Sequence, residues 1–250
     1  MPLGPAQSYL AKYNGNVLPG YVQTEAFDSV MNIASHYAAY ADGSESEYTG
    51  LNNKQLTLTL KVWEQDFATC SDQISLAATY LREKRAGFGP LFVQHSDKYY
   101  DALVTKVSKE NTAGKSVRVQ EYEVQFECKP WLIAVSGHTL TGTGTVTTDS
   151  VGRTIANGGW TPTTITVTGT NVTISGYTAT GEFAGYVSVS GAVSSLILDS
   201  DAFTATIGGV NKNQLLYTTD YRTYVGPGKT TFVTTGASSM TIQYFDRWYL

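Results

Sequence analysis

Glutamates recur at alternate positions in the segment EYEVQFECKPW: Glu121, Glu123 and Glu127, with Gln125 filling the gap in the row. Alternate residues of a β-strand share a face, which would set Glu121 and Glu123 about 6–7 Å apart. Two such carboxylates could serve as the acidic pair of glycoside hydrolysis. The simpler reading of such a row is the solvated face of a half-buried strand, and no other motif supports hydrolysis. His36, His95 and His138 are far apart, none in an H-x-x-x-H pair or beside a cysteine, so no metal site is expected. No G-x-S-x-G elbow, phosphate loop or dinucleotide fingerprint is present. The expectation is a protein with no catalytic residues, no cofactor and no metal. Cys70 and Cys128 lack metal spacing and read as two reduced, buried thiols.

Aromatic residues are the second group that could carry function. Trp160, Tyr177, Tyr186, Tyr217, Tyr221, Tyr224 and Trp248 are spread through a charge-poor stretch. Rings in such a text serve as core and cross-strand packing, as platforms for sugar rings, or as contacts to a protein partner. The partner or sugar reading falls on Trp160, Tyr177, Tyr186 and Trp248, with loss of glycan binding in Trp160→Ala as its test.

The elements that would hold these residues are mostly strands. The chain has 250 residues, 15% of them charged, a net charge of −4 and 24 glycines. That composition suits β structure with many turns. No Lys/Arg run could neutralise a string of phosphates, which argues against sequence-directed nucleic-acid binding. The opening MPLGPAQSYLAKY lacks the basic and apolar regions of a secretory signal, and no apolar run is long enough to span a bilayer. Synthesis in a reducing cytoplasm is the expectation, and the NVT acceptor at Asn171 is then a chance match.

Composition changes near Pro130. Residues 1–130 hold 12 Lys/Arg and 15 Asp/Glu, whereas residues 131–250 hold 5 and 6. A boundary inside KPWLIAVSGHTLTGTGTVTTDS gives two domains, 1–135 and 136–250. In the first, KQLTLTLKVW alternates cleanly, with Leu56, Leu58, Leu60 and Val62 on one face. A helix is predicted at about 71–86, capped by Thr69 or Ser71, with Ile74, Ala77, Ala78 and Leu81 as its apolar stripe. GPLFVQH and YYDALVTKVSKE read as strands, the latter turning through NTAGKS into the glutamate strand. There the alternation slips at Gln120–Glu121, between Val117 and Val119 on one phase and Tyr122, Val124, Phe126 and Cys128 on the other, which predicts a β-bulge. YADGSESEYTG reads as a polar loop. The second domain reads as strands alone: TITVTG, VTISG, FAGYVSVSG, SLILDS, FTATI, QLLYTT, TTFVTT and MTIQYFDRWYL, a β-sandwich pattern. Asp199 and Asp201 in LDSDAF read as turn residues.

The ordered set of segments resembles a family, the distal tail proteins of bacteriophages with long, non-contractile tails. The resemblance is carried by KQLTLTLKVW, then SDQISLAATYLREKR and GPLFVQHSDKYYDALVTKV, then VQEYEVQFECKPWL, IANGGWTPTTITVTG, SSLILDSD, YVGPGKTTFV and MTIQYFDRWYL, and it covers the chain from about Leu51 onward. It implies a mainly β protein with one helix: a tail-tube-like split barrel or β-sandwich, followed by a galectin-like β-sandwich. It further implies a non-enzymatic, six-membered ring at the virion tail tip that joins tail tube to tail hub and carries receptor-binding proteins or side fibres. DNA would meet such a ring only in passage, and Glu121, Glu123 and Glu127, or the polar face of the Leu56–Val62 strand, would form an acidic channel wall. A tail-tube subunit, which forms filaments, is the nearest alternative. A carbohydrate-binding module at residues 150–250 is the alternative of another class. Residues 1–50 fit the resemblance least and could be an arm reaching into a neighbouring subunit.

Overall fold

The structure is a computed structural model that describes residues 10–28, 31–37, 44–51, 53–83, 87–94, 97–109, 119–149, 160–216 and 223–249. The chain divides into two compact units, one ending at Leu132 and the other running over Ile133–Tyr249. The protein is mainly β, with one α-helix among the described residues.

The first unit contains β1 (Lys12–Tyr13), β2 (Asn16–Val17), β3 (Tyr21–Asp28), β4 (Met31–Tyr37), β5 (Ser44–Leu51), β6 (Lys54–Trp63), α1 (Phe67–Glu83), β7 (Gly89–Phe92), β8 (Lys98–Lys109) and the first part of β9 (Val119–Gly142). Its sheet order is β3-β6-β9-β8-β7-β1-β2, and β4 and β5 form a separate antiparallel pair. Ser44–Leu51 is thus a strand and not the polar loop expected there, although residues 38–43 lie outside the described residues. The sheet curls: Glu25 on β3 accepts hydrogen bonds from Gln94, just past β7, at 2.9 Å and from the Tyr100 hydroxyl on β8 at 3.4 Å. Inside the curl lie Tyr13, Leu18, Val22, Leu56, Leu58, Leu60, Leu91, Tyr122, Val124 and Phe126, all nearly free of solvent. Ala11, Tyr13, Leu18 and Val22 thus tie residues 10–22 to this core, while Leu10, Val17 and Tyr21 stay exposed. Their first turn is Asn14–Gly15, both at positive φ, the chemistry of a two-residue hairpin.

Helix α1 begins earlier than expected. Asp66 caps it, with Oδ1 accepting the Thr69 N–H and Oδ2 the Thr69 hydroxyl, each at 2.9 Å. The cap must stand three residues ahead of the N–H it satisfies, so Thr69 and Ser71 fall inside the helix. Cys70, Ile74, Ala77 and Leu81 face the core, and Ala78 lies at the edge of that stripe. The bonds from Thr69 hold the Asp66 carboxyl below its ordinary value of 3.8. A lowered folded-state pKa means a stabilising contribution that is complete above the ordinary value and lost as pH falls through the lowered one. Acidification from about pH 5 to pH 2 should therefore cost wild-type protein more helical stability than Asp66→Asn, whose amide does not titrate. Equal losses by circular dichroism would reject the cap.

No bulge interrupts β9 where it pairs with β6. Its register against β6 is unbroken from Lys54↔Cys128 to Trp63↔Val119. The apparent slip is Gln120, which occupies an inward position, fully buried, and donates its amide to the Phe67 carbonyl at 3.1 Å. Val119 faces outward with the glutamates, and Val117 lies outside the described residues. Both thiols are free and buried. Burial, with help from Asp101, Glu25 and Glu127, pushes the Cys128 thiol up to about 12. Thiolate is the reactive form, so Ellman's reagent should leave the native protein unmodified and titrate both cysteines in denaturant. Rapid native labelling would contradict this burial.

The second unit takes the rest of β9 and adds β10 (Thr145–Asp149), β11 (Thr161–Pro162), β12 (Thr164–Thr178), β13 (Phe183–Asp199), β14 (Thr204–Ile207), β15 (Val210–Asn211), β16 (Tyr224–Val225) and β17 (Lys229–Tyr249). The order is β15-β14-β13-β12-β17-β9, with β10 also on β17 and β11 paired to β16. Segments expected as separate strands are joined: TITVTG with VTISG, FAGYVSVSG with SLILDS, and TTFVTT with MTIQYFDRWYL. Bulges at the joins re-aim the side chains. Along β12 the buried positions are Ile165 and Val167 before the bulge and Val172 and Ile174 after it, so the parity changes across Gly169–Asn171. Gly236 at φ 72 bends β17 opposite that point. Asn213–Leu216 is a 3-10 turn that takes in the first three residues of QLLYTT, expected as a strand.

Two hydroxyl clasps hold the β11–β16 pair. Thr163 and Thr223 hydroxyls bond at 2.7 Å, and Ser200 reaches the Thr223 hydroxyl at 2.9 Å while accepting its N–H at 3.1 Å. Thr148 donates to the Thr230 carbonyl at 3.1 Å, and the Thr230 hydroxyl accepts the Gly226 N–H at 2.9 Å.

Candidate functional site

The acidic row stands on the outward face of β9, and the pairing with β6 fixes its surroundings. Glu121 lies opposite Lys61, Glu123 opposite Thr59, Gln125 opposite Thr57 and Glu127 opposite Gln55. The two surfaces that the sequence offers as channel walls, the glutamates and the polar face of the Leu56–Val62 strand, are therefore one surface. Lys61 Nζ is 3.7 Å from Glu121 and offsets its charge. Glu123 accepts the Gln125 amide at 2.8 Å, and Glu127 the Asn53 amide at 2.7 Å. Amide donors leave the carboxylate charge in place, so two of the three charges have no cation paired with them among the described residues. The row ends at Trp63 and Tyr21: Tyr21 pairs with Lys61, and Trp63, 71% exposed, lies two residues further along β6. Sequence reading passed over these two rings; Trp63 is legible as the odd-numbered end of an alternating strand.

The four aromatics singled out in the sequence do not form one surface. Trp160 meets Tyr224 edge-on at 6.5 Å and lies over Gly226, where its role is packing. Trp248 is half-buried near the end of β17. Tyr177 and Tyr186 do share an exposed face, together with Phe183, whose ring meets Tyr177 edge-on at 6.0 Å. Elsewhere in this unit His138 stacks on Tyr244 at 4.7 Å and reaches the buried carboxylate of Asp246 at 2.8 Å. Among the described residues no group of three or more His, Cys, Asp or Glu could hold a metal ion.

No family model matches the sequence, and no curated protein matches it. Among solved structures, the crystal structure of the SPP1 Dit (gp 19.1) protein, described as a paradigm of the hub adsorption apparatus in phages infecting Gram-positive bacteria, gives a TM-score of 0.69 at 15% identity, over 95% of this chain and 98% of that one. The chain has the distal tail protein fold. The phage P2 baseplate in its activated conformation also matches, with Ca at a TM-score of 0.40 and 10% identity over 96% of this chain and 91% of that one. With Sr the values are 0.42 and 10% over 90% and 89%. At those scores neither adds to the fold assignment. In the distal tail protein fold of this chain, the acidic row belongs to the first unit and the Tyr177–Phe183–Tyr186 face to the second.

Proposed function

We propose that this chain is a structural ring protein of the tail tip of a long-tailed phage, joining the tail tube to the tail hub and serving as a platform for receptor-binding components. The observation that supports this reading is the match to SPP1 Dit, which leaves little of either chain without a counterpart. On this reading residues 1–135 form a tail-tube-like, ring-forming domain and residues 136–250 a galectin-like β-sandwich. Six copies close a ring in the virion tail, made in the host cytoplasm, and DNA only passes through it. Glu121, Glu123 and Glu127 face the channel, where negative charge repels phosphate and keeps the genome from adhering.

The test is solution mass by light scattering with negative-stain images of the same peak. Rings of six, or stacked pairs of them, support the tail-tip reading, and long filaments would replace it with a tail-tube subunit. A monomer at every concentration, with or without the tail hub protein, rejects the ring. A ring reconstruction with all three glutamates outside the lumen rejects the channel wall alone.

A further inference from the structure

The outward face of the second unit near its Thr178 end combines exposed aromatic rings with a field of hydroxyls. Pairings of β13, β12, β17 and β10 set it out in rows. Phe183, Tyr177, Thr231 and Thr147 make one row; Tyr186, Ser175, Val233 and Thr145 the next; Ser188, Thr173 and Thr235 a third. The inward neighbours Val146, Val172, Ile174, Val187 and Phe232 are core residues, so the row residues face out. Strands lie about 4.8 Å apart and alternate residues about 6.8 Å apart along them. The three rings thus gather at one end of a hydroxyl field that extends across the remaining strands.

Two properties of this field select its occupant. First, the rings are open: Tyr177 is 45% exposed, Phe183 46% and Tyr186 37%, each far more than packing against the core would leave. Second, none of the eleven positions carries a formal charge. The nearest charges in register are Asp149 and Lys229, opposite each other two residues beyond Thr147 and Thr231, and Glu182 in the turn before Phe183. Protein interfaces also gather tyrosine and phenylalanine around a charge-poor centre but are poor in serine, so it is the field of serine and threonine hydroxyls beside the rings that favours a sugar. A neutral sugar chain presents what this face lacks partners for: C–H faces that lie on aromatic rings, and hydroxyls that exchange hydrogen bonds with hydroxyls. Thr147 and Thr231 bond each other at 3.2 Å, and each hydroxyl keeps capacity for another bond.

We propose that the Tyr177–Phe183–Tyr186 face binds an uncharged glycan, with Tyr177 and Tyr186 as stacking platforms and Ser175, Thr231 and Thr147 as hydrogen-bonding groups. This goes beyond the ring reading and does not depend on it, since the face lies within one copy of the second unit. Of the residues singled out in the sequence, Tyr177 and Tyr186 belong to the site, while Trp160 and Trp248 do not.

The experiment is calorimetric titration of the full chain with neutral hexasaccharides of glucose, galactose, rhamnose and N-acetylglucosamine, and with an anionic hexasaccharide of galacturonic acid. Saturable binding of at least one neutral sugar is expected, weakened about tenfold or more in Tyr177→Ala and in Tyr186→Ala. Phe245→Ala removes an equally exposed ring at the other end of β17 and should leave affinity unchanged, as should the ring-retaining Tyr177→Phe to within about threefold. No binding of any neutral sugar, stronger binding of the anionic one, or binding indifferent to both alanine variants would overturn the proposal. Light scattering on the same samples separates the outcomes. Loss of sugar binding with ring mass unchanged leaves the assembly reading untouched, and loss of rings in the two variants without sugar binding marks the face as a protein contact instead.

Discussion

Phe126→Ala should cost about 3–5 kcal/mol, the range for emptying a buried phenylalanine site. Phe126 is fully buried, stands opposite Leu56, and its ring lies 5.3 Å from that of Tyr13 at a tilted angle. Tyr13 cannot move in to fill the void, because its hydroxyl donates to the Ala102 carbonyl at 3.1 Å and fixes the ring. A small protein has only about 5–15 kcal/mol in hand, so the variant should show a large fall in the urea midpoint by circular dichroism. Phe126→Leu, which keeps most of the volume, should cost less than half as much. An alanine variant within about 1 kcal/mol of wild type would show that the site collapses freely and that Phe126 does not tie β1 to β9. The same contact explains why deleting residues 1–50 would not isolate an arm: the deletion removes Tyr13 from the core.

Gly236→Ala has the second-largest expected effect, about 3 kcal/mol or more from two sources. The backbone there sits at φ 72, a region that side chains adopt at a cost, and an added Cβ would run into the carbonyl oxygens of Thr170 and Asn171. Those atoms are main chain of a paired strand and cannot swing away. The bulge they share with Gly236 lets both halves of β12 point their apolar residues at one core. The alanine variant should therefore lower the melting temperature of the second unit and raise amide exchange around 168–174 and 234–239, and unchanged exchange there would place the bend elsewhere.

Much of this architecture is legible in local pattern, and the failures have physical causes. β6 alternates strictly because one face is buried and the other is not, so its reading needed no tertiary knowledge. Gln120 misled because an amide that finds one buried partner can occupy a core position, which periodicity scores as a phase change. In β12 the phase change is real, and there the TGTN stretch with Asn171 at positive φ marks it. The joined strands look separate in the sequence because glycine signals a bulge and a turn alike. For the functional surfaces, sequence proposes residues but not company. Alternation put three glutamates on one face, while the Lys61 that offsets one of them comes from a strand some 60 residues earlier. Tyr177 and Phe183 meet through a turn. Nothing in its neighbours announces that Trp160 would be spent on packing over Gly226.

The clasps around Thr163, Thr223 and Ser200, and around Thr148 and Thr230, have a consequence for the medium in which the protein can work. Apart from Asp246, the buried polar side chains of the second unit are threonine and serine among the described residues. Hydroxyls carry no charge for salt to screen and do not titrate in ordinary waters. The hydroxyl bonds that grip the β11–β16 pair should therefore change little with ionic strength or with mild acid.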